Sequence, residues 1–342
     1  MAKKLIVCAD GTWNTQNETD KGRPSATNVF KVARALLPNH TDAKSGQLTP
    51  QIVHYITGVG TAFGERVSGG AFGVGLFANV LDCYRFLVLN YDPGDAAQGI
   101  AADELYLFGF SRGAFTVRSL AGMIRNSGIL RRGHEEAENT AVELYRDYSE
   151  KTAPDADLAV EFRKEHSYSP EIEFIGVWDT VGALGIPGMG EHLRLPRGLD
   201  WQFHDVTLSS KVHNAYQALA IHEHRAEFEP TLWEQQDSAQ GTQKLEQRWF
   251  SGAHSDCGGG YPEAGLSDLA LKWMIENAEN CGLDFDQELI GRPPHWAGDA
   301  LSVGHDSFSN FYRLLDLLRW KPGGKLRVWD PTRKGTEQAI DE

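Results

Sequence analysis

Residues 109–113 read GFSRG, which places Ser111 between two glycines. The apolar run at 105–108 predicts a strand buried on both faces, and the apolar spacing after the turn predicts a helix that ends near Gly128. A G-x-S-x-G turn between a strand and a helix exposes the serine hydroxyl as a nucleophile. The flanking glycines let the strand and the helix cross closely around a serine in a strained conformation. We therefore predict that Ser111 is a nucleophile for acyl transfer.

A serine nucleophile needs a general base and a carboxylate that orients this base. In open parallel sheets such groups lie just past the carboxyl ends of the strands. Asp179 follows the apolar run 172–178, and His254 follows the run 245–250. We predict Asp179 as the orienting acid and His254 as the base. The alternatives are a helix N-cap for Asp179, a hydrogen-bonded loop histidine for His254, and His305 as a rival base.

An oxyanion that forms on attack needs backbone N–H donors close to the serine. In this arrangement one donor is the residue after the serine, and the other lies in the loop after the first strand. We predict Arg112 as the first donor and Gly11 or Thr12 as the second. Two further carboxylates, Asp10 and Asp256, are predicted to support the loops or the substrate.

The elements that must position these residues alternate between short apolar strands and segments of helical period. Such alternation predicts an α/β fold with a mostly parallel sheet and helices on both faces. Strands are predicted at 5–8, 52–56, 105–108, 172–178 and 245–250, and helices at 28–37, 77–90, 114–128, 267–281 and 308–320. We expect one domain over 1–342, with a cap-like insertion at 180–243 and a tail at 290–342 that packs on the core.

The bulk composition excludes several classes of partner. The 342 residues carry 47 acidic and 33 basic side chains, a formal net charge of −14, which disfavours nucleic acid and gives no general attraction to anionic membranes. Any membrane contact would therefore be local and transient.

The four cysteines are far apart and predict neither a zinc site nor a disulfide framework. We expect no cofactor and no metal. The sequence shows no signal peptide or transmembrane run, so we expect a cytoplasmic protein.

Together the motifs resemble the DUF2235 α/β-hydrolase family, which includes the catalytic domain of type VI secretion Tle1-like phospholipase effectors. The resemblance rests on DGTWN at 10–14, TNV at 27–29, GVGT at 58–61, GFSRGA at 109–114, VWDTVG at 177–182, and the segment 249–260 with its HSD and GGG. It implies an α/β-hydrolase fold with Ser111, Asp179 and His254 as a triad. It also implies a carboxylic ester substrate, such as a phospholipid. Delivery by a secretion system is a further expectation that follows from the resemblance.

The expected reaction is ester hydrolysis through an acyl-enzyme. Two roles are open for the apolar residues of the insertion, binding of the acyl chain and packing onto the core: Leu184, Ile186, Met189 and Trp201. Two other functions remain open at this point. The first is a metal-assisted phosphoesterase that uses a cluster of carboxylates and one histidine: Asp10, Asp179, His254 and Asp256. The second is a non-catalytic binding module, because a fold does not fix a function.

Overall fold

We analysed a computed structural model of the chain, which describes residues 2–11, 19–20, 22–58, 69–147, 149–181, 207–225, 228–290, 298–307 and 327. Several sequence predictions lie outside these residues. They are the Thr12 oxyanion donor, the helix at 308–320 and the acyl-chain residues of the insertion.

Seven strands of the described chain form one sheet in the order β11-β10-β9-β6-β1-β5-β4. All neighbouring pairs are parallel except β4 with β5. The seven strands are β1 Lys4–Ala9, β4 Asn39–Thr41, β5 Leu48–Ile56, β6 Glu104–Phe110, β9 Ile172–Trp178, β10 Val212–Ala220 and β11 Lys244–Phe250. Two short antiparallel pairs add β2 Thr19–Asp20 with β3 Arg23–Pro24, and β7 Ile129–Leu130 with β8 Ser167–Tyr168.

Eight α-helices connect and cover these strands in the described residues. They are α1 Asn28–Ala35, α2 Gly69–Asn90, α3 Arg112–Ser127, α4 Glu138–Arg146, α5 Asp157–His166, α6 His254–Gly258, α7 Gly265–Asn280 and α8 Gln287–Ile290. One face of the sheet packs on α2 to α5, and the other packs on α1, α6 and α7. None of the described helices combines the length and the apolar character that crossing a membrane requires.

The central strands are buried on both faces, as their continuous apolar sequence predicts. In β1, Leu5 and Val7 pack into the core beneath α2 and α3, whereas Ile6 and Cys8 pack into the core beneath α1 and α7. The chain runs from β1 to β5 on one side and then to β6 on the other side of β1. The carboxyl ends of β1 and β6 therefore flank the point where the strand order reverses, which is where open α/β sheets bind ligands.

The structure confirms the α/β fold and its mostly parallel sheet, and it divides the segment 180–243. Residues 212–220 of this segment form β10, a strand between β9 and β11. Part of the segment therefore belongs to the central sheet. Likewise, the polar region 131–169 contains α4 and α5 and ends in β8. The cap function of the rest of the insertion, and a tail that packs on the core, remain proposals.

Candidate functional site

Ser111 occupies a sharp turn between β6 and α3. Its backbone has φ 56° and ψ −117°, a conformation that residues other than glycine rarely adopt. Ser111 N–H donates to the carbonyl oxygen of Trp178 (3.0 Å), which ties the turn to the end of the neighbouring strand β9. Such strain persists only where the surrounding structure imposes it, so the turn has the backbone of a nucleophile elbow.

The two glycines of the motif are required by close contacts. A Cβ at Gly113 would lie 2.0 Å from the carbonyl oxygen of Ala9, and a Cβ at Gly109 would lie 2.5 Å from the carbonyl oxygen of Gly113. Since backbone atoms cannot yield as a side chain can, α3 approaches β1 and β6 this closely only with glycine at both positions. The contacts agree with the role that the sequence analysis gave to these glycines.

Replacing Gly113 with alanine should therefore destabilise the fold by about 3 kcal/mol or more, because the new methyl group overlaps the backbone of β1. The matched control is Gly122→Ala in the same helix, where the nearest atoms to the new Cβ belong to the side chain of Tyr145, the first of them at 3.1 Å. That change should stay within about 1 kcal/mol of the wild type. Urea unfolding of both variants checks the prediction, which fails if Gly113→Ala is as stable as Gly122→Ala.

The structure brings Asp179 and His254 together. His254 Nδ1 lies 2.6 Å from Asp179 Oδ2, and the two side chains are almost completely buried. Asp179 follows β9 with a positive φ of 39°, and its Oδ1 accepts a hydrogen bond from the N–H of Ala220 at the end of β10 (3.0 Å). The carboxylate thus lies where the sequence analysis expected it, past the end of a strand.

His254 begins α6, and aromatic rings hold its imidazole from two sides. The ring centroids of Phe110 and Phe228 lie 4.6 and 4.9 Å from that of His254. Because Phe110 immediately precedes Ser111, the imidazole lies beside the serine turn. The hydrogen bonds of the described residues include the His254–Asp179 pair but none between the Ser111 hydroxyl and His254. Catalytic hydrogen bonds are often long before substrate binds.

Arg327, a residue that the sequence analysis did not single out, forms a bidentate ion pair with Asp179. Its two terminal nitrogens donate to Asp179 Oδ1 (2.6 Å) and Oδ2 (3.0 Å), and also to the carbonyl oxygens of Ala220 and Phe228 (2.6 and 2.5 Å). The side chains are 5% and 0% exposed. A buried arginine from the C-terminal part of the chain therefore compensates the carboxylate that orients His254.

Burial and charge set the protonation of this pair. Burial alone would raise the pKa of Asp179, but the Arg327 cation and His254 outweigh it and hold the pKa well below its usual value. Burial lowers the pKa of His254, and Asp179 only partly opposes this shift. The Arg225 cation also lowers the pKa of His254, and the Glu223 carboxylate opposes it. His254 is therefore neutral near pH 7, as a general base must be.

If His254 is the base of ester hydrolysis, its lowered pKa predicts that the reaction persists into mildly acidic solution. Only the neutral imidazole accepts a proton, so the acid limb of kcat/KM should lie below about pH 6.5, the ordinary histidine value. In the unfolded chain His254 regains its ordinary pKa and binds a proton more readily than in the folded chain. The free energy of unfolding should therefore also fall as the pH drops from about 6.5 through the pKa of His254 in the folded protein. A kcat/KM profile from about pH 4.5 to about pH 8 tests the prediction, and an acid limb above about pH 6.5 would contradict it.

A buried glutamate anchors the backbone of His254, and sequence reasoning did not identify it. Glu223 accepts hydrogen bonds from the His254 N–H (3.3 Å), the Arg225 guanidinium and the Ser307 hydroxyl (2.8 Å). Burial would raise the pKa of Glu223, but its contacts with Arg225 lower it to about 2. Glu223 therefore remains ionised and fixes the start of α6.

The predicted supporting carboxylates hold loops at the same edge of the sheet. Asp10 Oδ1 accepts from the N–H of Gly11, and Asp10 Oδ2 accepts from the hydroxyls of Thr27 and Tyr55, each at 2.7 Å. Asp10 thus joins the loop after β1 to the N-cap of α1 and to β5. The Gly11 N–H, one of the predicted oxyanion donors, donates its hydrogen bond to Asp10 in this arrangement.

Asp256 and the rival base His305 form a second pair. Asp256 Oδ2 accepts from the N–H groups of Ala253 and His305, both at 2.9 Å, and its Oδ1 lies 2.6 Å from His305 Nδ1. Asp256 therefore closes the N-terminus of α6, while the ring of His305 stacks on Tyr261 with centroids 3.9 Å apart. His305 pairs with this carboxylate and not with Asp179.

The four residues of the metal-dependent alternative do not converge on one point. Asp10, Asp179 and Asp256 each bind different partners, and the ligand-type atoms that cluster within 4.8 Å in the described chain belong to other residues. The geometry can instead support nucleophilic chemistry, because an elbow serine lies beside a buried His–Asp pair.

The chain matches the family described as the type VI secretion phospholipase effector Tle1-like catalytic domain over residues 3–277. It is 31% identical over 206 residues to the uncharacterized protein YEL023C of Saccharomyces cerevisiae (strain ATCC 204508 / S288c), and the match covers 54% of this chain and 27% of that protein.

Two solved structures are similar at 18% identity. An uncharacterized protein from Pseudomonas aeruginosa has a TM-score of 0.49, with 95% of this chain and 52% of that chain covered. The Tle1 effector bound to the VgrG spike of the type 6 secretion system has a TM-score of 0.40, with 76% and 52% covered. The chain thus spans about half the length of these two proteins and about a quarter of the yeast relative. The match over residues 3–277 confirms the resemblance: the chain belongs to the family of Tle1-like phospholipase effector catalytic domains.

Proposed function

We propose that the chain is a serine hydrolase that cleaves carboxylic esters, with acyl esters of lipids such as phospholipids as its substrate class. The observation that carries the proposal is the strained Ser111 turn beside the 2.6 Å pair of His254 and Asp179. The serine, the acid and the base follow one another in the chain order of α/β-hydrolases. Membership of a phospholipase effector family supports the choice of lipid esters.

In the first step, His254 Nε2 takes the proton of the Ser111 hydroxyl as the serine oxygen attacks the ester carbonyl carbon. The carbonyl π electrons move to oxygen and form an oxyanion. When the tetrahedral intermediate collapses, the bond to the alcohol oxygen breaks, and this oxygen takes the proton from His254. Asp179 keeps the His254 Nδ1 protonated, so that Nε2 is the nitrogen that faces the reaction.

In the second step, water attacks the acyl-serine ester while His254 takes a proton from the water. The Ser111–acyl bond then breaks, the serine oxygen recovers the proton, and the carboxylic acid leaves. The imidazole returns to its neutral state. Its burial, which lowers the pKa of His254, favours this state in both steps.

The backbone N–H of Arg112 is the first proposed oxyanion donor, because the first turn of a helix points its N–H groups out of the N-terminus. Gly11 or Thr12 remains the proposed second donor. For Gly11, this role requires its N–H to leave Asp10, which accepts it at 2.7 Å. Asp10 would then act as the residue that presets the loop.

Labelling with a fluorophosphonate tests the nucleophile directly. The probe should modify the wild type at Ser111 and should not modify Ser111→Ala, because the reagent reacts only with an activated serine. Ser119→Ala is the matched control, since Ser119 is a second buried serine of α3 and should leave labelling unchanged. Labelling that persists in Ser111→Ala would exclude the proposed mechanism.

A hydrolysis panel with short esters, triglycerides and phospholipid vesicles then tests the substrate class, with Ser111→Ala assayed in parallel. Release of fatty acid from vesicles, lost in Ser111→Ala, would support a phospholipase that contacts the membrane surface transiently. Turnover of short esters alone would retain the serine mechanism and reject the lipid substrate. Delivery by a type VI secretion system is a separate proposal, and it rests on the family alone.

A further inference from the structure

A cluster of two histidines and a glutamate lies at the end of α3 opposite Ser111. His134 precedes a 3-10 helix at Glu135–Ala137, and His166 is the last residue of α5. Their Nδ1 atoms are 3.1 Å apart. A carboxylate oxygen of Glu136 joins them, and the three ligand-type atoms all lie within 4.8 Å of one another.

Main-chain contacts hold the two imidazoles in this position. The antiparallel pairing of β7 with β8 joins the segments before His134 and after His166. The Arg131 N–H donates to the carbonyl oxygen of His166 (2.9 Å), and the His134 N–H donates to that of Arg131 (3.0 Å). The Arg131 guanidinium also donates to the carbonyl oxygens of residues 164 and 165. The backbone thus presents both rings at one point.

From this arrangement we propose that His134, Glu136 and His166 bind a divalent transition ion, with zinc as the representative. Two imidazoles and one carboxylate are ligands that zinc accepts. Zinc–nitrogen bonds of about 2.0–2.1 Å in a tetrahedron place two ligand nitrogens about 3.3 Å apart, close to the 3.1 Å between the Nδ1 atoms. Both histidines are half-buried and Glu136 is exposed, so water can complete the coordination.

A hydrogen bond between the two rings is the competing explanation. Two facing Nδ1 atoms can share one proton, with one neutral imidazole as donor and the other as acceptor. This pair would need neither Glu136 nor a metal. The two explanations therefore differ in metal uptake and in the effect of removing the carboxylate.

The proposed ion would connect the loop after β7 to the end of α5, and so stabilise the region that contains α4 and α5. It would take no part in ester hydrolysis. The 16 residues of α3 separate the cluster from Ser111, a length of about 24 Å at 1.5 Å per residue. The metal proposal can thus fail while the serine mechanism holds, and the serine mechanism can fail while the metal proposal holds.

Calorimetric titration of the untagged, chelator-treated full chain with zinc chloride tests the proposal. We expect one zinc equivalent to bind and the midpoint of thermal unfolding to rise. Glu136 is exposed, so the Glu136→Gln variant should fold. It keeps both imidazoles but lacks the carboxylate, so it should bind zinc at least about tenfold more weakly. His134→Gln with His166→Gln should abolish the site and the zinc-dependent shift. Cobalt(II) added in place of zinc should give the visible absorption of a bound ion in the wild type but not in the double variant.

The matched control is His213→Gln, because His213 also lies beside two carboxylates, Glu171 and Glu173 (3.9 and 3.0 Å), at an exposed place. It should bind zinc as the wild type does. Absence of zinc binding, or equal binding by the wild type, Glu136→Gln and the double variant, would overturn the proposal and leave the ring-to-ring hydrogen bond. Loss of binding in His213→Gln alone would overturn it as well.

Discussion

Replacing His254 with glutamine is expected to lower kcat for ester hydrolysis by about a million-fold. Glutamine fills a similar space but cannot accept the proton of Ser111, so the attacking alkoxide does not form. His254 is the imidazole that contacts Asp179 among the described residues. Residual turnover would come from substrate binding and from the oxyanion donors. Steady-state kinetics with a sensitive chromogenic ester, after removal of contaminating esterases, measures the loss.

His305→Gln provides a matched control for this prediction. His305 forms an equally short contact with a carboxylate, 2.6 Å from Asp256, but a quarter of its side chain is exposed. If Asp179 and His254 are the reacting pair, His305→Gln keeps kcat within about tenfold of the wild type, as expected for a supporting contact. Equal losses in both variants, or a loss in His305→Gln alone, would contradict the assignment of the base.

The positions of Ser111, Asp179 and His254 at one edge of the sheet were predictable because their signals are local, whereas their catalytic roles stay a proposal. A strand that is buried on both faces is a continuous apolar run, and the carboxyl ends of parallel strands meet at one edge of the sheet. Each candidate needed only its position after such a run. The role of the two glycines was equally predictable from the motif, and the structure shows its cause: the close approach of α3 to β1 leaves no room for a Cβ.

The strand β10 was not predictable in the same way. Its sequence carries polar residues that hide the pattern of a buried strand, including Gln217, which is 0% exposed. The Gln217 amide donates to the carbonyl oxygen of Thr231 (3.1 Å), so a contact distant in sequence compensates the burial of a polar group. Periodicity alone cannot reveal such a compensation. β10 matters for the site because the N–H of its last residue, Ala220, binds Asp179.

Arg327 illustrates the same limit more strongly. The ion pair with Asp179 spans 148 residues, and nothing around Arg327 distinguishes it from the other basic residues of the C-terminal part of the chain. A physical argument could still have anticipated a cation. A carboxylate that is completely buried beside a neutral imidazole needs further compensation, because an isolated buried charge is very costly. The sequence implies that such a partner exists, but it does not say which residue supplies it.

Arg327→Met is accordingly expected to destabilise the protein by about 3–5 kcal/mol, because it leaves the buried carboxylate of Asp179 without its cation. Arg85→Met is the matched control: Arg85 also binds a carboxylate through two nitrogens, that of Glu138, but 57% of its side chain is exposed. Its loss should cost less than about 1 kcal/mol. Urea unfolding measures both changes.

A merely structural arginine would affect stability and nothing else, whereas Arg327 should also tune the base. Without the cation, the full charge of Asp179 acts on His254, so the pKa of His254 should rise and the acid limb of kcat/KM should move to higher pH. In an Asp179→Asn background the carboxylate is absent, so Arg327→Met should cost much less stability than in the wild type, a coupling that a double-mutant cycle measures. An unchanged pH profile together with additive losses would show that Arg327 does not act through Asp179. A shifted profile and a large coupling energy would establish it as the positioning residue of the His254–Asp179 pair.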